Sequence, residues 1–237
     1  NHGSNCLLAA CRCNPDINIV KYLVEDLNID INCKDNEGNN CLLSASLNSQ
    51  NASVLEYLIE EKKMDLNSRN NNGDNCLLLA CQKNSNINII KYLIGIKMDI
   101  NIRNNSGNNC LMLACQENSN INIIKFLIET CEINTNLKNN FGNNCLLIAC
   151  YFNLNIDIIK YLIENCKMDV NSRNNDGNNC LLSACMNNSN VHIINYLIKD
   201  CKIDLCLKND IGFNFILATS YNPNINVTKF IFKNLNL

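Results

Sequence analysis

Cysteine is the residue type in this sequence best equipped for chemistry, because a thiolate can attack carbon, hold a soft metal or close a disulfide. The chain has 17 cysteines. Cys6, Cys41, Cys76, Cys110, Cys145 and Cys180 recur at a nearly constant interval, and Cys11, Cys81, Cys115, Cys150 and Cys185 each stand five residues after a member of that series. On a helix, a five-residue step turns two side chains about 140° apart, so the two series do not converge on one metal. An odd total cannot be paired completely, and helices stacked roughly 8–10 Å apart hold matching cysteines beyond easy disulfide reach. The expectation is therefore small, buried thiols that behave as hydrophobes. Cys13, Cys33 and Cys206 lie off both series and are the candidates for reactive thiols.

Other chemistry-bearing residues are sparse. His2 and His192 are the only histidines, and neither sits at a metal-ligand spacing. Glu60 and Glu61 adjoin at a helix end, where solvation explains them, and the glycines are spread along the chain rather than gathered in a phosphate-cradling loop. No nucleophile and base are forced together. No catalytic, cofactor-binding or metal-binding residue is assigned, and an enzyme is not expected. Lys34, Arg69, Arg103, Lys138, Arg173 and Lys208 form a ladder of cations that could serve an acidic partner, although a solvated surface is the favoured reading.

Bulk composition narrows the classes further. A net charge of -2 and a pI near 5.7 supply no global positive field for a phosphate backbone, which leaves a nucleic-acid-binding array using the cation ladder, or a purely architectural spacer in a larger protein, as the alternatives to a protein-binding module. The 47% hydrophobic and 18% charged residues suit a folded protein, and no apolar run is long enough to span a bilayer. So many cysteines in an odd number suit a reducing, intracellular, cytoplasmic compartment, or a host cytoplasm if the source is a parasite or virus. Asn makes up roughly a fifth of the chain, which reads as codon bias of an AT-rich genome acting on the surface.

The elements that must position these residues come from one internal repeat. Gly3, Gly38, Gly73, Gly107, Gly142, Gly177 and Gly212 are separated by 35, 35, 34, 35, 35 and 35 residues. The units run approximately 1–35, 36–70, 71–104, 105–139, 140–174, 175–209 and 210–237 as one solenoid, with the terminal units incomplete or uncapped. Each opens on a turn such as Asn71-Asn72-Gly73-Asp74, where Gly supplies positive φ. Asn5, Asn40, Asn75, Asn109, Asn144, Asn179 and Asn214 then stand ready to cap a short apolar helix. That helix carries Ala10, Ala45, Ala80, Ala114, Ala149, Ala184 and Ala218 in register, small enough for close approach. A second helix follows, as at Ile87 to Ile94, with Ile87, Ile90 and Leu93 or Ile94 on one face. Tyr22, Tyr57, Tyr92, Phe126, Tyr161, Tyr196 and Phe230 share one position on it and read as core between repeats. The unit closes on an alternation, Met98 to Arg103, that suits an extended segment.

This pattern resembles the ankyrin repeat. The matching elements are the turn Gly, Leu77 and Ala80 of the first helix, Ile89-Ile90-Lys91 and Leu93-Ile94 of the second, and Asp99-Ile100-Asn101 at the exit. The resemblance implies an all-α, curved solenoid of stacked antiparallel helix pairs with projecting hairpin-like turns. Where the family usually shows Thr-Pro-Leu-His, this chain shows Asn75-Cys76-Leu77-Leu78 and its equivalents, so Asn capping and apolar burial must replace that side-chain network. The usual period is 33 residues. The residues added here are expected in loops, one between the helices and, in most units, one after the second helix.

Because the copies serve as controls for one another, the positions that break the internal rule point to function. Repeat five breaks it most, with Tyr151-Phe152 where other copies carry Gln82-Lys83 and Gln116-Glu117, and Phe141 where others carry Glu37, Asn72, Ser106 or Asp176. The resemblance implies that turn tips and the exposed side of the first helices form a concave recognition surface. Phe141, Tyr151 and Phe152, flanked by Gln82, Lys83, Gln116, Glu117, Met186 and Asn187, are therefore the expected anchors for a protein partner of a monomeric interaction module. The competing reading has the aromatics filling a wider gap between repeats.

Overall fold

The computed structural model describes residues 3–48 and 52–234, apart from the side chain of Asn234. It forms two compact units, Asn1–Ala114 and Cys115–Leu237. The first contains α1 (Cys6–Cys13), α2 (Ile17–Lys21), α3 (Cys41–Asn48), α4 (Ala52–Glu56), α5 (Cys76–Lys83) and α6 (Ile87–Gly95), and the division falls within α7 (Cys110–Glu117). In the second unit follow α8 (Ile121–Lys125), α9 (Cys145–Phe152), α10 (Ile156–Lys160), α11 (Cys180–Asn187), α12 (Val191–Lys199), α13 (Phe215–Ala218) and α14 (Ile225–Asn234). Within the first unit α1 packs on α3 and α3 on α5; within the second α9 packs on α11 and α11 on α13. First helices also lie against their own second helices, α1 on α2, α3 on α4 and α5 on α6 in the first unit and α9 on α10 and α11 on α12 in the second.

Local chemistry sets where the helices start. The Oδ1 of Asn75 accepts from the N–H of Leu78 at 2.9 Å, and Asn5, Asn40, Asn109, Asn144, Asn179 and Asn214 repeat this contact at 2.9–3.0 Å. Each cap satisfies an amide that the first turn leaves without a partner. Second helices are capped likewise by Asp16, Asn86, Asn120, Asn155 and Asn190. Short helices of this kind are marginal alone, and burial of nearly their whole apolar surface makes up the difference. Leu77, Leu78, Ala80 and Cys81 in α5, and Leu146, Leu147, Ala149 and Cys150 in α9, are all buried.

Two details differ from expectation. The residue added after the second helix does not sit in a loop. It is wound into the helix, whose last turn widens to π geometry over Tyr22–Asp26, Tyr57–Glu61, Phe126–Thr130 and Tyr161–Asn165. There the N–H groups of Leu27, Lys62, Cys131 and Cys166 reach back five residues, to Tyr22, Tyr57, Phe126 and Tyr161. Repeat three, shorter by one residue, keeps ordinary α winding through Gly95 instead. After each of the first six second helices one residue enters the left-handed region, from Asn28 (φ 52°) to Lys202 (φ 52°). The next amide then bonds across the helix end, as Met64 N–H does to Leu58 O at 3.0 Å, which closes the helix in a Schellman-type cap. The exit segment is also not extended. Asp65 and Asp99 accept from the amides of Asn67 and Asn101 at 2.9 Å and fold it into turns, and there is no strand among the described residues.

Candidate interaction site

The projecting turns are built from Asn and Gly together. Asn70 Oδ1 accepts from the amides of Asn72 at 3.0 Å and Asp74 at 2.9 Å, while Gly73 N–H donates to Asn70 O at 2.9 Å. Gly73 has φ +79°, and a Cβ there would lie 2.3 Å from Asn105 Oδ1 and 2.9 Å from Asn105 N. That close approach lets one turn bond to the next. Asn71 N–H donates to Glu37 O at 2.9 Å and Asn71 Nδ2 to Asn36 O at 3.1 Å; in the second unit Asn175 does the same to Phe141 O and Asn140 O.

The cation ladder belongs to this framework and is not merely a solvated surface. Arg69 donates to Gly73 O at 2.7 Å and Arg103 O at 2.9 Å, Lys138 to Arg173 O at 2.8 Å, and Arg173 to Lys208 O at 3.2 Å. A side chain long enough to reach the next turn finds a backbone carbonyl there, which outcompetes water for geometry.

Asparagine is likewise more than surface codon bias. At the ends of the first helices, buried Asn84 donates to Ser46 O at 3.2 Å, Asn153 to Cys115 O and Asn118 O at 3.1 Å, and Asn188 to Cys150 O at 2.9 Å and Asn153 O at 2.8 Å. The last four carbonyls of a helix have no partner within it. Here an Asn from the following repeat supplies the donors, so α3, α7, α9 and α11 are each capped by the repeat that follows.

The thiols pack across repeats rather than along one helix. Cys41 meets Cys11, Cys115 meets Cys145, and Cys180 meets Cys150, because the second cysteine of one helix faces the first cysteine of the next. The sequence reading compared only matching positions and missed this offset. Hydrogen bonding to the partner thiol and then burial push all three well up, while burial alone raises Cys185 and, as the largest cause, takes Cys76 to about 12. Protonated thiols are poor nucleophiles. Cys33 is half-buried and also raised, chiefly by burial, whereas Cys13 and Cys206 are exposed. Cys131, Cys166 and Cys201 form a third series at the ends of second helices, with Cys166 and Cys201 raised by burial. Exposed His192 donates its amide N–H to Asn190 Oδ1, and His2 lies outside the described residues. No group of His, Cys, Asp and Glu among the described residues could hold a metal ion.

Of the second-helix aromatics expected in the core, Tyr57, Tyr161 and Tyr196 are buried, Tyr92, Phe126 and Phe230 are half-buried, and Tyr22, at 53% exposure, is not core. Tyr57 donates its hydroxyl to Glu25 at 3.0 Å, Tyr92 to Glu60 at 3.1 Å, and Tyr161 and Tyr196 to Glu129 and Glu164 at 2.7 Å. Burial first, and the carboxylate second, push Tyr92 up to about 12.

The predicted anchors are among several exposed large apolar side chains, which include Ile211 at 73% and Tyr221 at 64% in the last repeat. Phe141 is 58% exposed at its turn tip and Phe152 45% exposed at the end of α9. Tyr151 is half-buried, its ring 4.5 Å from that of Phe152 at 63°, and its carbonyl accepts from Asn187 Nδ2 at 3.1 Å. Met186 and Asn187 are half-buried and Glu117 exposed, all with the aromatics in the second unit along with half-buried Gln116. Gln82, half-buried, and Lys83, exposed, lie in the first unit. Leu154, 57% exposed, was missed, although it breaks the same internal rule: Ser85, Ser119 and Ser189 hold its place in other copies.

The sequence matches the family profile described as ankyrin repeats in three copies, over residues 1–70, 49–136 and 111–209. The chain belongs to the ankyrin repeat family, whose repeats generally mediate protein–protein interaction and are generally noncatalytic. It is similar to a chain of the solved complex of the predatory endopeptidase Bd0816 from Bdellovibrio bacteriovorus with immunity protein Bd3460, at 24% identity and a TM-score of 0.58. That match covers 77% of this chain and 91% of the other, and at such identity it shows the fold alone. No curated protein matches the sequence. No helix among the described residues is long and apolar enough to cross a membrane.

Proposed function

We propose that this chain is a noncatalytic, monomeric, cytoplasmic interaction module that grips a protein partner through Phe141, Tyr151 and Phe152, with Gln116, Glu117, Met186 and Asn187 flanking them in the same unit, while Gln82 and Lys83 of the other unit are partner contacts in their own right. The observation that carries this reading is the exposure of Phe141 and Phe152 in a scaffold that buries most of its large side chains. Apolar surface left in water at positions where most sibling repeats are polar contributes little to folding, and partly exposed aromatics make efficient binding anchors. The solved endopeptidase–immunity protein complex supports the general class, since a likeness of this chain occurs there alongside a protein partner. A nucleic-acid role is weakened by the engagement of Arg69, Lys138 and Arg173 with backbone carbonyls. A cytoplasmic setting suits the many buried thiols.

Crosslinking capture from lysate with the intact chain, beside the Phe141→Ala, Tyr151→Ala, Phe152→Ala variant, tests the site. The variant should melt within a few degrees of the parent and lose the captured protein by tenfold or more. Equal capture by both overturns the site, and salt-sensitive binding of generic RNA in its place overturns the class.

A further inference from the structure

Three exposed columns of the repeat change together in the second unit. Repeat five carries Phe141 at the turn tip, Phe152 at the end of the first helix and Leu154 two residues further on. Repeat seven carries Ile211, Tyr221 and Pro223 at the same places, and repeat six between them carries Asp176, Asn187 and Ser189. Phe141, Phe152 and Leu154 stay in water although α11 packs on α9, so these columns project from the stack whether or not a further repeat follows. Each apolar repeat also adds a second ring at its helix end: Tyr151 lies against Phe152, and Phe213 lies 5.5 Å from Tyr221.

The polar repeat between them is short of donors. In the turns before it an asparagine amide donates to the neighbouring carbonyl, as Asn71 does to Asn36 O and Asn175 to Asn140 O. At the next step that asparagine is replaced by Asp210, which has no side-chain N–H to give. Asp210 N–H donates to Asp176 O at 3.0 Å, so the two acids stand side by side, and among the described residues Asn175 O and both carboxylates accept no hydrogen bond. The cations at the bases of these turns are engaged, Lys138 with Arg173 O and Arg173 with Lys208 O. A positively charged donor is therefore what this turn accepts best.

Resting on the recognition role proposed above for repeat five, we infer that the partner presents an extended segment with two apolar side chains about six residues apart and a Lys or Arg between them. One apolar residue seats on repeat five and the other on repeat seven, and the cation reaches Asp176, Asp210 and Asn175 O. The spacing follows from packing: two steps of about 8–10 Å span about 16–20 Å, which an extended chain covers in about six residues. An even count keeps both anchors on one face of that chain.

Panning a displayed library of random peptides, each about 12 residues long, on the intact chain tests this. Enriched peptides should share two apolar residues six apart, with Lys or Arg between them about fivefold above the unselected library. Sibling residues then replace each contact so that melting is unchanged. Asp176→Asn with Asp210→Asn should return the cation preference to the library level and keep the apolar pair, whereas Ile211→Asn with Tyr221→Asn should remove one of the two apolar positions. No enriched peptide, acidic residues between the apolar pair, apolar residues at helical spacing, or a cation preference indifferent to the aspartates overturns the inference. Selection that depends on Phe141 and Phe152 but ignores the repeat-six and repeat-seven changes overturns it and leaves the repeat-five anchors standing. Selection that ignores Phe141 and Phe152 as well overturns both readings.

Discussion

Two positions at the end of one helix, two residues apart, behave in opposite ways. Asn153 and its counterparts Asn84, Asn118, Asn188 and Asn222 are the same residue type in five repeats, and where their bonds are described they reach into the preceding repeat. Tyr151 and its counterparts Gln82, Gln116 and Met186 include three residue types among four copies and are only half-buried. The first position answers a debt that every helix has, four carbonyls without donors, and a single residue type with the right reach and a paired donor and acceptor fits it. The second position has no such obligation. Variation there is free for recognition, and repeat five uses it for aromatic side chains.

The sharpest way to break the contrast is Asn153→Ala. Its amide serves Cys115 O and Asn118 O while its Oδ1 accepts from the Asn155 amide, all within a site of 4% exposure. Truncation strands those groups, and a loss of about 2–4 kcal/mol is expected in urea denaturation. A change under about 0.5 kcal/mol would mean that the Asn ladder is incidental to stability.

Phe152→Lys sharpens the same contrast from the other side, since Lys83 already holds that place in repeat three. Replacing an exposed aromatic with the residue a sibling repeat tolerates should shift stability by no more than about 0.5–1 kcal/mol. Capture of the partner should fall nonetheless. A loss comparable to that of Asn153→Ala would place Phe152 in the core and return the gap-filling reading.

Features governed by one or two neighbouring residues were legible from the sequence. The turn glycines and the Asn caps follow from local backbone chemistry, and each copy repeats them. Features created by stacking were less so. Which asparagines turn inward depends on where the next helix end falls, and the Cys11–Cys41 contact depends on an offset between helices that no single-helix geometry contains. The extra residue after the second helix looked like loop because insertions usually fall there, yet the widened turn keeps the exit on its track. The tyrosine–glutamate bonds and Leu154 were both visible to the logic that found Phe141, had every column of the repeat been compared.

The smallest expected effect concerns one of those tyrosine–glutamate bonds, within the first unit. Tyr92 is raised to about 12 by burial and by Glu60, against an ordinary value near 10 in the unfolded chain. Its hydroxyl therefore favours the folded state fully below pH ~10, and that contribution fades as pH climbs toward ~12, because the unfolded chain releases the proton first. At pH 8, Tyr92→Phe should cost no more than about 1 kcal/mol, since the bonded pair is solvent-exposed. Between pH ~10 and ~12 the urea midpoint of the parent should fall more steeply than that of Tyr92→Phe, while Phe126→Tyr, which adds a hydroxyl one repeat after Gly95, the residue in the glutamate's place, should gain nothing at pH 8. Parallel slopes for parent and Tyr92→Phe would show that the alkaline loss comes from other groups, and a gain from Phe126→Tyr would show that the hydroxyl needs no carboxylate.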